Sequence, residues 1–78
     1  VRKFEIEVNN KKKHEISVFS RISKNLPEMI DLLLLDLRPR ELNLGVWFNE
    51  EMTYGEIVTL NDSFEEEAFI TIIEKEKL

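Results

Sequence analysis

Apolar and polar residues alternate along the first stretch of the chain and then change period. In residues 2–8, Phe4, Ile6 and Val8 fall on one side and Lys3, Glu5 and Glu7 on the other. A period of two marks a half-buried strand. Asn9-Asn10-Lys11-Lys12-Lys13 is polar and Asn-rich, which predicts a hairpin loop. A second strand is expected from His14 to Ser20, with Ile16 and Val18 facing one way and Glu15, Ser17 and Phe19 the other. Leu26, Ile30, Leu33, Leu34 and Leu37 then recur at the spacing of one helical face and predict a helix over residues 25–38. Asn25 stands where an N-cap belongs, with Glu28 three residues on as its capping-box partner. Pro27 lies in the first turn, where its missing N–H costs nothing, and Pro39 stops the helix.

Strand periodicity returns after the helix. Leu42, Leu44, Val46 and Phe48 alternate with Asn43, Gly45, Trp47 and Asn49, which predicts a third strand with Trp47 pointing away from the other apolar residues. Residues 50–59 carry a weaker signal: a bend at Tyr54-Gly55 and a short edge strand around Ile57 and Val58. Leu60 to Phe64 reads as a turn and Glu65 to Glu67 as a solvated loop. Ala68 to Lys75 is β-branched and aromatic on both faces, the pattern of a strand in the middle of a sheet.

The order of elements is hairpin, helix, strand, short irregular piece and apolar last strand. With a single helix available to cover a sheet, the economical packing is α+β: a mixed four- to five-stranded sheet with the helix across one face. Seventy-eight residues make one domain, residues 1–78. The helix should dock on Phe4, Ile6, Ile16, Val18, Val46, Ile70 and Ile72. Over almost its whole length the chain resembles the ubiquitin-like, or β-grasp, superfamily. Leu60-Asn61-Asp62 looks like the short helical turn before the last strand of ubiquitin, and the helix length and hairpin position agree. Among subfamilies the segment KNLPEMIDLLLLDL looks most like the helix of the bacterial YukD-like proteins of type VII secretion, although Glu65-Glu66-Glu67 replaces their usual turn. The resemblance implies a central last strand that lies beside the first and runs parallel to it. The tail Glu76-Lys77-Leu78 has no terminal diglycine; if that is the natural end of the chain, the resemblance is to the members that are not conjugated, and if the chain is trimmed the inference fails.

Composition narrows the function. Sixteen acidic and eleven basic residues leave a net charge of −5, which argues against a nucleic-acid module with its basic face. The run Leu32–Leu35 is too short to span a bilayer. No cysteine is present, which fits a reducing compartment, and a cytoplasmic location is expected. No residues are spaced as a catalytic, metal or cofactor site, so no enzyme activity, metal or cofactor is expected. His14 reads as an exposed turn residue. The three glutamates lack the alternating ligands and glycine of a calcium loop. Lys11 to Lys13 read as a solvated loop, and Arg38 and Arg40 as charges flanking the helix end.

Apolar residues that do not fit the core point to a protein partner. Trp47, Phe69 and Ile73, with Phe19 farther off, are expected on the sheet face away from the helix and form the predicted binding patch; Trp and Phe often supply binding hot spots. Ubiquitin-like proteins commonly use this face, so the resemblance implies the same use. On the helix, Leu32 and Leu35 fall nearly opposite the core stripe with Met29 at the edge, a self-complementary strip suited to a homodimer. The expected function is therefore a non-enzymatic adaptor that binds another protein, in type VII secretion if the subfamily resemblance holds. The alternative is an acidic, phage-type mimic of nucleic acid that occupies a cationic surface.

Overall fold

The computed structural model describes residues 1–37 and 43–78. The elements run β1 (Arg2–Asn10), β2 (Glu15–Ser23), α1 (Leu26–Leu37), β3 (Asn43–Phe48), β4 (Tyr54–Leu60) and β5 (Glu66–Lys77). The five strands form one sheet in the order β2-β1-β5-β4-β3, and every neighbouring pair is antiparallel. The architecture is α+β, with one helix packed on one face of the sheet, and β5 is central beside β1.

Two expectations about the sheet fail together. It is wholly antiparallel, not mixed, and β5 runs antiparallel to β1 where the ubiquitin-like resemblance implied a parallel pair. The reason lies in the turns. β3–β4 and β4–β5 are successive antiparallel hairpins, so β5 takes the direction of β3. The segment after Leu60 is no helical turn: the Asn61 carboxamide oxygen accepts from the Ser63 and Glu65 N–H groups at 2.9 Å each, and Phe64 takes a left-handed φ of 60°. Residues 50–59 also contain more strand than their pattern suggested. β4 is seven residues long and interior, which leaves β3 at the edge. Leu42 and the Pro39 stop lie outside the described residues.

The helix starts where the capping residues predicted. The Asn25 side-chain oxygen accepts from the Glu28 N–H at 2.9 Å, satisfying one of the donors that a helix start leaves free. The Glu28 carboxylate reaches back to the Lys24 N–H at 2.5 Å, one residue before the expected capping-box position. The helix lies across the strands. At its start Leu26 sits against Gly55 of β4, where a Cβ would meet the Leu26 methyls at 3.5 Å. Near its end Asp36 pairs with Arg21 of β2.

The core consists of Phe4, Ile6, Leu26, Met29, Ile30, Leu33, Ile57, Ile70 and Ile72, with Val8, Phe19 and Leu34 packed around it. Each fully buried apolar side chain stabilises the fold by roughly 1.5–3 kcal/mol. Phe4, Ile6, Ile70 and Ile72 are where the alternation placed them; Ile16, Val18 and Val46 are exposed. The β1–β2 register explains the first two. Phe4 pairs with Arg21, Ile6 with Phe19 and Val8 with Ser17, so Phe19 faces the helix and Ile16 and Val18 face away. A one-residue difference in hairpin register turns every side chain of a strand to the other face. Val46 does point to the helix side, since it pairs with buried Ile57, but the helix does not cover β3.

Candidate functional interface

The sheet face away from the helix is built from alternate residues of all five strands. On β3 and β4 the register pairs Trp47 with Glu56 and Gly45 with Val58. On β4 and β5 it pairs Tyr54 with Ile73, Glu56 with Thr71 and Val58 with Phe69. Trp47, Phe69 and Ile73 therefore share this face, as their phase predicted. Trp47 remains 55% exposed and meets Tyr54 edge to face at 6.0 Å between ring centroids, a favoured aromatic geometry. The apolar surface has two lobes, one of Trp47, Tyr54 and Ile73 and one of Val58 and Phe69. Glu56 and Thr71 stand between them.

Phe19 does not belong to this surface. It faces the helix side, packed against the core, with the Arg21 guanidinium 5.4 Å from its ring centre. In its place the outer face of β2 presents Ile16, Val18 and Ile22, all more than half exposed. Glu5, Glu7 and Asn9 of β1 separate this strip from β5. Tyr54 lies in the stretch expected as a bend and Val58 in the expected short edge strand, and the sequence pattern assigned neither to this face. Their strand was legible only through the alternation of Tyr54, Glu56, Val58 and Leu60 against buried Gly55, Ile57 and Thr59.

The electrostatics of the outer face are acidic. The Tyr54 hydroxyl donates to Glu56 Oε1 at 2.8 Å. That hydrogen bond, partial burial and the charges of Glu56 and Glu7 all push the phenol pKa above its ordinary value of 10.0.

On the helix, Met29 is wholly buried and is excluded as an oligomer contact: its side chain packs into the core with Leu26 and Leu33. Leu32 and Leu35 are exposed as expected, Leu35 at 69%. His14 is an exposed hairpin residue with a φ of 55°. Lys11, Lys12, Asn61 and Glu65 to Glu67 line an open notch of about 340 Å³ between two hairpin loops. The Lys11 N–H closes its floor on the Glu67 carbonyl at 2.8 Å. Arg38 and Arg40 lie outside the described residues. No helix among the described residues is long and apolar enough to cross a membrane. Compared with known proteins, the chain matches no family model, no curated protein and no solved structure.

Proposed function

We propose that this chain is a non-enzymatic interaction module that binds a protein partner through the outer face of its sheet. The observation that carries the reading is the convergence of Trp47, Tyr54, Val58, Phe69 and Ile73 on the face opposite the helix, with Trp47 more than half exposed. Large aromatic and aliphatic side chains gathered beside polar neighbours resemble the centre and rim of a protein interface. Glu5, Glu7 and Glu56 on the same face suit a partner that mixes apolar and cationic groups. The reading rests on this surface and not on the ubiquitin-like resemblance, whose strand direction differs at β1 and β5, so no secretion role is proposed.

The test compares capture of cellular proteins by the chain, by an outer-face variant carrying Phe69→Ser and Ile73→Ser, and by Leu35→Glu on the helix. Circular dichroism checks that each variant folds. Capture should be lost only in the outer-face variant and should persist as salt rises. Capture indifferent to Phe69 and Ile73 overturns the reading. Capture that collapses with salt favours the acidic-mimic alternative, because exposed charge pairing is screened.

A further inference from the structure

The open edge of β3 has the chemistry of a strand that pairs with a second copy of itself. Of the five strands β3 alone, Asn43–Phe48, contains no charged residue. All its residues are exposed, on both faces: Leu44, Val46 and Phe48 on the helix side, Trp47 on the other. Among the described residues no strand lies beyond it. The opposite edge, β2, carries Glu15 and Arg21, and charges of that kind discourage edge-to-edge pairing. β3 carries no such charge.

The backbone groups on this edge can be assigned. The Asn49 N–H donates to the Tyr54 carbonyl at 3.0 Å. By antiparallel alternation Asn43, Gly45 and Trp47 turn their N–H and C=O groups toward β4, and Leu44, Val46 and Phe48 turn theirs outward. Three outward donors and three outward acceptors at alternate positions form a template for one more antiparallel strand.

The geometry points to a two-fold dimer in which β3 of each copy pairs with β3 of the other about Val46. In that register Val46 meets Val46, and Leu44 meets Phe48. These are the residues with outward backbone groups, so each hydrogen-bonded pair is complete. Gly45 meets Trp47, and Asn43 meets Asn49. The Gly45–Trp47 pair is the distinctive one. Nothing lies within 4 Å of the position a Gly45 Cβ would take, so that space is free to receive an indole. The pair would be of the close, non-hydrogen-bonded kind, in which an aromatic ring covers the backbone a glycine leaves bare. No pair sets charge against charge, although each copy carries −5. Two five-stranded sheets then become one ten-stranded sheet with both outer-face surfaces on the same side. Only seven residues per copy pair, against roughly 20–30 per side in a standard interface, so the dimer is a weak, reversible one.

Analytical ultracentrifugation from micromolar to millimolar concentration tests this. The wild-type chain should pass from monomer to dimer, and Leu35→Glu should do the same. Val46→Lys sets two ammonium groups on the two-fold axis, and Val46→Pro removes an outward N–H without touching the β4 ladder. Both should stay monomeric with an unchanged far-ultraviolet dichroism spectrum. Phe69→Ser with Ile73→Ser should still dimerise, which separates this inference from the partner surface. A wild-type chain that is monomeric at millimolar concentration overturns the proposal. So does a folded Val46→Lys or Val46→Pro variant that dimerises as wild type does, or a dimer abolished by Leu35→Glu.

Discussion

Three consecutive helix residues offer a test of how the helix sits on the sheet. Leu33 is buried at 3% exposure, Leu34 is partly buried against the core and Leu35 is 69% exposed. Truncating each to alanine removes the same atoms from neighbouring positions, so the difference reports burial and little else. Leu33→Ala deletes a side chain from the cluster of Met29, Ile30 and the sheet residues and should cost about 2–5 kcal/mol, the lost transfer energy plus an unfilled cavity. Leu34→Ala should cost about 1–2 kcal/mol, in proportion to its partial burial. Leu35→Ala should lie within about 0.5 kcal/mol of wild type, since alanine is also the better helix former. Total stability for a domain this size is roughly 4–12 kcal/mol, so the first change consumes a large share of it. Urea unfolding followed by far-ultraviolet circular dichroism measures all three. The midpoints should fall in the order Leu35→Ala, Leu34→Ala, Leu33→Ala, with similar slopes. If Leu35→Ala costs as much as Leu33→Ala, another segment or copy covers Leu35, and the helix orientation argued from the core is wrong.

Two further outcomes follow from the turns and the outer face. Asn49 ties the β3–β4 hairpin, its side-chain oxygen accepting from the Thr53 and Tyr54 N–H groups and its amide donating to Thr53 Oγ1. Asn49→Ala should cost roughly 1–3 kcal/mol in the same urea assay, and a neutral result would show that the turn holds without it. Tyr54 is the only tyrosine, so phenolate absorbance reports it alone. Its titration should lie above 10.0 in the folded chain and move down in Glu56→Gln. Because the folded state holds this proton more tightly than the unfolded state, the linked stability is full below the unfolded pKa and is lost as pH rises through the folded one. An unshifted titration in the wild type would show that the Tyr54–Glu56 hydrogen bond does not persist in solution.

Local chemistry made much of this protein readable from its residues. Asn25, Glu28 and Pro27 mark the start of the helix, and the Leu26/Ile30/Leu33 stripe marks its buried face, because capping and a 3.6-residue period depend on neighbours within one or two turns. The same holds for the phase of Trp47 against Leu44, Val46 and Phe48, and for Phe69 and Ile73 against Ile70 and Ile72: within one strand, opposite faces are a matter of counting.

What pairs with what was decided only in three dimensions. The inward face of β2 depends on the register that the Lys11–His14 turn imposes, which pairs Asn10 with Glu15. That single fact moves Phe19 into the helix side and Ile16 and Val18 out of it. Met29, at the margin of the helical stripe, is buried in the core cluster with Leu26, Ile30 and Leu33. The direction of β5 relative to β1 follows from that of β3, carried through two successive hairpins. β4, with Ile57 buried, lies inside the sheet, and β3 forms the edge. Each is a long-range outcome in which the burial of several residues together outweighs the preference of any one, and the open edge of β3 is one of its consequences.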